Sequence, residues 1–392
     1  MSQERTTAAG TVLILVCIAH FLNDLIQSVI PSAMPLIKAN LGLTFAEVGL
    51  LTLAIQITSS IMQPVVGMIV DKKRHPAALS IGMIFTMIGV FLLSRSAGFH
   101  AALIAVALTG LGSAIFHPEC VRIAQSASGG RKGLAQSVFQ VGGNAGFAVG
   151  PLATAVIVLP FGQANIAWFS VAAAFAAFVL FFIGRAGEAL ARAQKKKARA
   201  AGPGVEKSKL VFLVALLLVL MFSKQIYHAS LGNFLTFFVM EKFGLTIEGA
   251  QYVLFAFLAA GAAGTLAGGP LTDRFGRRAV IFGSIFGAAP FALALPWTGL
   301  AAAVTLAVIV SFIISSAFSA IVVCALDAMP EHTGLISGLF FGLSFGVGGA
   351  ATAVFGWVAD LTSLDFVFKA TSFLPLIGIA ALWLPKEATT KA

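Results

Sequence analysis

Gly269-Pro270-Leu271-Thr272-Asp273-Arg274-Phe275-Gly276-Arg277-Arg278 is a short charged turn between two long apolar runs. Earlier in the chain, Gly67-Met68-Ile69-Val70-Asp71-Lys72-Lys73-Arg74 repeats its order of small residue, three-residue spacer, aspartate and basic cluster, again between apolar runs. Asp71 and Asp273 are 202 positions apart; at an offset of 201, Gly133-Leu134 falls on Gly334-Leu335 and Ser137 on Gly338, with Gly150 near Ala351. A repeat at this period makes the chain a duplication whose unit is half its length.

Of the 392 residues, 59% are hydrophobic, only 10% are charged and 35 are Phe, a mix far outside that of a soluble globular chain. The composition is that of an integral membrane protein. A spanning helix needs roughly 20 mostly apolar residues, and only helices or closed barrels satisfy the backbone in lipid. The apolar runs are too long for barrel strands. Twelve can be marked off, from Thr11–Ile37 to Phe366–Leu384. The expected fold is therefore all-α, with 12 transmembrane helices as two six-helix pseudo-repeats around a central cavity. Residues 1–184 form an N-terminal six-helix bundle, 185–209 a basic cytoplasmic linker and 210–392 a C-terminal six-helix bundle.

A net charge of +10 invites a nucleic-acid reading, but the basic residues occupy alternate loops. One side holds 19 Lys and Arg and the other four, Lys38, Arg95, Lys242 and Lys369, while Arg122 and Lys224 lie within helices. By the positive-inside rule the richer side is cytoplasmic and both termini are inside. The linker cluster around Lys195-Lys196-Lys197 reads as a solvated connector. Cys17, Cys120 and Cys324 lie far apart in apolar runs, so neither a disulfide nor a metal site is expected. The first run is too long for a secretion signal and carries Asn23 and Asp24, so it is read as the first spanning helix.

Ionisable groups inside such runs are costly and normally face a bundle interior or a pathway. Asp24 lies 13 residues into the first run, about 20 Å along at 1.5 Å per residue, near the bilayer middle. In apolar surroundings it is the leading candidate to load and release a proton. The repeat offset carries Asp24 to Gln225 or Ile226, beside Lys224 in the seventh run, so a carboxylate and an ammonium are expected to face a shared cavity. The fourth run contains Phe116-His117-Pro118-Glu119-Cys120-Val121-Arg122. Glu119 and Arg122, three apart, share a helix face and can pair, while His117 points elsewhere unless a kink at Pro118 rotates it. His117 and Glu119 are the other candidates for proton coupling. Lys224, then Arg122, are the candidates for binding an anionic substrate. His20, Asn23, Gln56, Gln63, Gln140, Asn144, Tyr227 and His228 could line the polar part of the cavity, with Phe116, Phe139, Phe234 and Phe341 as an apolar wall. Asp71, Arg74, Asp273, Arg274 and Arg277 are assigned to gating at the cytoplasmic surface. Gly142, Gly146 and Gly150 before Pro151, and Gly338, Gly342, Gly346 and Gly349 near the end, are spaced to let neighbouring helices approach closely. A rocking joint is expected there.

The turn from Gly269 to Arg278 resembles the signature loop of the major facilitator superfamily of secondary transporters. Its earlier counterpart is degraded, with Lys72 in place of arginine and His75-Pro76 near the expected glycine and arginine. Gly146-x-x-x-Gly150-Pro151 resembles the helix-five motif of the drug-exporting branch, which exchanges drug against protons. The chain is also similar to the fosmidomycin resistance family, in His20-Phe21-Leu22-Asn23-Asp24, Gln63-Pro64-Val65-Val66-Gly67, Phe116-His117-Pro118-Glu119, Ser128-Gly129-Gly130-Arg131 and Gly133 to Asn144. This resemblance implies a bacterial inner-membrane exporter of a small phosphonate antibiotic. The implied partners are the drug, protons and membrane lipid around a monomer, with no cofactor and no nucleic acid. The charges alone suit a second reading equally, a proton-coupled importer of a small anionic metabolite, since an anion beside Asp24 favours carrying proton and anion together. An enzyme or ligand sensor is disfavoured, because no nucleophile-and-base spacing, metal motif or phosphate loop is present.

Overall fold

The computed structural model describes residues 2–43, 45–72, 75–198 and 207–385, and these are almost wholly helical. Among these described residues, twelve helices are long and apolar enough to cross a membrane: α1 (Ala9–Met34), α2 (Leu50–Ile69), α3 (Ala78–Arg95), α4 (Phe99–Ser126), α5 (Lys132–Val158), α6 (Gln163–Glu188), α7 (Ser208–Phe243), α8 (Tyr252–Phe275), α9 (Arg277–Trp297), α10 (Leu300–Ala328), α11 (Pro330–Ala359) and α12 (Leu364–Trp383). These match the apolar runs of the sequence. Their outward faces carry large apolar side chains, including Phe175, Phe178, Phe255 and Trp357, each more than 60% exposed. A soluble protein does not spread bulky apolar groups this way; a lipid-facing surface does.

The chain separates into two compact units. One comprises the described chain up to Gly130, Val138 to the end of α6, and Met329–Leu343; the other takes Arg131–Ser137, α7 to Ala328, and Ser344 onward. The first two turns of α5 thus count with the second unit, and the start of α11 with the first. In the first unit α3 packs along α4 and α6. In the second, α8 packs along α10 and the later part of α11 along α7, around a core that includes Leu231, Leu235, Phe238, Phe257, Val310 and Ile314.

Local sequence explains how several helices end and bend. The signature glycine Gly276 stops α8 and starts α9 with φ +82°, a conformation costly for a residue with a Cβ. Pro118 lies inside the fourth helix without ending it, and the helix is continuous from Phe99 to Ser126. Wider π-type turns interrupt α2 at Ile57–Ile61, α5 at Thr154–Val158 and α11 at Gly338–Leu343. Such turns redirect the side chains that follow them.

Glycine spacing proves a good guide for α5 and a partial one for α11. A Cβ on Gly142 or Gly146 would run into the carbonyl oxygen of Cys17 or Phe21 on α1, and one on Gly150 into Ser28. On α11, Gly338 and Gly342 lie against the backbone of Gln63 and Ser60, but Gly346 and Gly349 have open space where a side chain would begin. Backbone-close approach at the striped glycines therefore ends at Gly342, and beyond the π-type turn it is Gly348, not Gly346 or Gly349, that faces Gln225 and Ala229 of α7.

Candidate functional site

In the first unit, His20 and Asp24 are one turn apart on α1 and so share a face. Gly143 of α5 leaves room for both, since a Cβ there would overlap the His20 imidazole and the Asp24 carboxylate. His117 reaches the same carboxylate from α4. Asp24 Oδ2 lies 3.2 Å from His20 Nε2, and Oδ1 lies 3.6 Å from His117 Nε2. Asn23 Nδ2 donates to Oδ1 at 2.9 Å. The far side of each ring is held as well. His20 Nδ1 is 2.7 Å from the carbonyl oxygen of Phe139, and its ring stacks on the Phe139 ring at 4.0 Å. His117 Nδ1 is 3.0 Å from the carbonyl oxygen of Ser113 and 3.3 Å from its hydroxyl. Phe116 and Phe341 border the two imidazoles.

This corrects one expectation: Asp24 is not in apolar surroundings, because two imidazoles and an amide occupy them. His20 was legible as a neighbour one turn away, but His117 comes across from another helix. The inward atoms of His20, Asp24 and His117 lie within 4.8 Å of one another, a spacing that a shared proton or a bound cation could fill.

Glu119 and Arg122, expected to pair, do so: Arg122 Nε and Nη2 donate to Glu119 Oε2 at 2.9 and 2.6 Å, both residues being buried. The polar candidates on α2 and α5 bond mostly within their own helices. Gln63 Nε2 donates to the Ser59 carbonyl at 2.6 Å, Gln56 Nε2 to Ser60 Oγ at 3.3 Å, and Gln140 Nε2 to Asn144 Oδ1 at 3.0 Å.

In the second unit, Lys224 is 4% exposed and its ammonium lies 5.1 Å from the centre of the Phe318 ring. Among the described residues no carboxylate pairs with it. One turn on, the His228 ring packs at 5.0 Å from Phe257, and its buried Nε2 has no hydrogen-bond partner among the described residues. Gly261 of α8 leaves a small space bordered by His228 Nε2 and the hydroxyls of Ser311 and Ser315. Tyr227 instead packs in the apolar core of the unit, with Phe234 against that core.

The two charged turns have matching geometry. Asp71, just past α2, accepts from the amides of Gly334 and Leu335 at 2.9 and 3.0 Å. Asp273, near the end of α8, accepts from Gly133 and Leu134 at 3.0 and 3.1 Å. Each carboxylate caps the start of a helix, where amides lack intrahelical partners and the helix dipole favours negative charge. The motif glycines make this possible, Gly67 lying against the backbone of Gly334 and Gly269 against that of Gly133. Arg277 and Lys132 both pair with Asp327, and Arg274 lies over the Phe275 ring. Arg74 lies outside the described residues. Sequence reasoning missed Asp327 and Ser113. Ser113 could have been found, since it precedes His117 by one helical turn; Asp327 is a lone acid whose partners come from other helices.

The family model described as Major Facilitator Superfamily matches residues 16–353 and 226–392. The chain is 49% identical over 385 residues to the Fosmidomycin resistance protein of Escherichia coli (strain K12), spanning 97% of this chain and 95% of that protein. It is 40% identical over 390 residues to the Uncharacterized MFS-type transporter YfnC of Bacillus subtilis (strain 168), spanning 98% and 95%. Among solved structures, the human organic anion transporter MFSD10 superposes with a TM-score of 0.76 at 16% identity, covering 95% of this chain and 99% of that one. The transporter FucP in its outward conformation gives 0.72 at 14% identity, covering 97% and 100%. At such low identity these two show the fold alone.

Proposed function

The chain belongs to the major facilitator superfamily, and we propose that it is a proton-coupled exporter of a small anionic antibiotic, a phosphonate such as fosmidomycin, working by alternating access. It is a multi-pass transporter; we place it in a bacterial inner membrane with both termini in the cytoplasm, on the distribution of Lys and Arg. The observation that carries the reading is the His20–Asp24–His117 cluster, an ionisable trio in the interior of spanning helices, where such groups are costly and mark pathways by default. The relative named for fosmidomycin resistance supports the choice of drug.

In this reading the Asp24 cluster takes up and releases the proton. Lys224 supplies the cation for the phosphonate, since a buried ammonium with no carboxylate beside it among the described residues favours an anionic ligand. Glu119 and Arg122 hold each other, with a part in gating. The Asp71 and Asp273 caps are latches that break and reform as the gate changes state, helped by Arg274, Arg277 and the close packing at Gly146 and Gly150. The same parts would serve an importer of a small anion, and only the sign of coupled flux separates the two.

Expression in a drug-sensitive bacterial host tests the reading. The chain is expected to raise fosmidomycin tolerance, and Asp24→Asn to return tolerance to the level of the empty host with undiminished protein in the membrane. Full resistance in that variant would remove Asp24 from the mechanism.

A further inference from the structure

The reading above assigns the proton to a cluster, and the hydrogen-bond geometry narrows its seat. The oxygen 2.7 Å from His20 Nδ1 is a backbone carbonyl, which can only accept, so Nδ1 carries a hydrogen. In a neutral ring of that tautomer Nε2 is a bare lone pair. It faces Asp24 Oδ2 at 3.2 Å, and an ionised carboxylate also offers only lone pairs. His20 Nε2 is buried without a hydrogen-bond partner among the described residues, and the carboxylate 3.2 Å away is another acceptor, so a proton between them would satisfy an atom otherwise left unpaired.

His117 is held differently. Its Nδ1 has two possible partners on Ser113, the carbonyl at 3.0 Å, which accepts, and the hydroxyl at 3.3 Å, which can donate. With the hydroxyl donating, the ring hydrogen sits on Nε2, and Asp24 Oδ1 lies 3.6 Å from that nitrogen, just beyond hydrogen-bond length, so a small approach brings the two into contact. His117 can therefore change tautomer while His20 cannot. The His117 side chain is 10% exposed and that of Asp24 18%, against 1% for His20, so a proton enters by His117 or Asp24.

We propose that the carried proton is shared between His20 Nε2 and Asp24, and that His117 with Ser113 relays it. This rests on the proton-coupled reading above. In the relay a proton taken up at His117 Nδ1 gives the imidazolium, the proton on Nε2 passes to Asp24, and the ring returns to neutral with Nδ1 bonded to the Ser113 carbonyl. No other reactant is needed.

Among the described residues, the surroundings supply no competing proton acceptor of the same reach. On α4 the remaining charges, Glu119 and Arg122, pair with each other. α5 contributes Gln140, Asn144 and Gly143, and the start of α11 contributes Phe341, none of which titrates. Cys17 and Cys120 complete the titratable side chains on α1 and α4 near this level; Cys17 lies against Gly142. Arg185 and Glu188 stand at the far end of α6, and Glu47 precedes α2.

The test is nuclear magnetic resonance of the full chain in lipid nanodiscs with nitrogen-15 histidine. Six histidines give six ring systems, and the His20 signals are those lost in His20→Gln. At neutral pH without drug, His20 is expected to show a hydrogen on Nδ1 and a shared hydrogen at Nε2, the latter lost in Asp24→Asn. In proteoliposomes Ser113→Ala is expected to slow fosmidomycin flux at least tenfold at saturating drug without changing its half-saturating concentration. A bare Nε2 in the parent protein would overturn the proposal, as would a stoichiometric divalent metal recovered with the protein and bound at that nitrogen. Flux unaffected by Ser113→Ala would remove the relay. Because the spectrum is recorded without drug, its outcome is separate from whether fosmidomycin is exported.

Discussion

Lys224 is the residue at which the substrate assignment is most exposed to test. Burying an ammonium against Phe318 carries a desolvation cost that no described carboxylate offsets, and an anionic ligand would offset it. A hydrogen bond to a charged group contributes roughly 1.5–3 kcal/mol, and each 1.4 kcal/mol is about tenfold in affinity. Lys224→Met is therefore expected to raise the half-saturating concentration of fosmidomycin about tenfold or more in proteoliposome flux, with Lys224→Arg in between. An unchanged value in the Met variant would remove Lys224 from the anion site. His228 is the natural second donor: His228→Phe keeps the ring contact with Phe257 but removes the nitrogen facing Gly261. It is expected to weaken binding by a smaller factor in the same assay.

Among elements, α5 makes the sharpest demands. Its glycines bring it against the α1 backbone, so Gly146→Val forces a Cβ into the Phe21 carbonyl oxygen. Overpacking of this kind typically costs about 1–3 kcal/mol. The variant is expected to aggregate at lower temperature in a heating series read by size-exclusion chromatography, while Gly346→Ala, with open space, should match the parent. Asp273→Ala strips the cap from the start of α5 and leaves the amides of Gly133 and Leu134 without that acceptor. Losing such a cap costs about 1 kcal/mol, so the protein should fold and still bind drug while its maximal flux falls severalfold. The legibility of the sequence divides along the same lines. The caps could be recognised as a repeated motif, and Gly133-Leu134 and Gly334-Leu335 aligned with each other in the duplication. That each pair would meet the aspartate of the other copy's turn is a matter of tertiary packing that no spacing shows. The His20–Asp24 contact follows from one turn of helix, whereas the His117 contact does not, and so the apolar setting expected for Asp24 was wrong. The glycine stripe of α11 misled beyond Gly342 because a π-type turn breaks the helical period.

At the scale of the molecule, composition was enough for twelve membrane-spanning helices and the repeat for their two halves, since burying so few charges among so many apolar residues leaves lipid as the only fitting solvent, while the transporter fold was legible only through the resemblance carried by motifs such as the Gly269–Arg278 turn. Direction of transport is another matter. The cluster at Asp24 and the ammonium of Lys224 could couple a proton and an anion in the same or in opposite directions. The most direct test is flux in proteoliposomes loaded with labelled fosmidomycin, with an imposed proton gradient. If protons and drug are exchanged, protons entering from one side drive the drug out toward that side against its own gradient, and Asp24→Asn abolishes this coupled movement. Drug accumulating in the direction of proton flow, or moving at a rate indifferent to the gradient, would contradict proton-driven export.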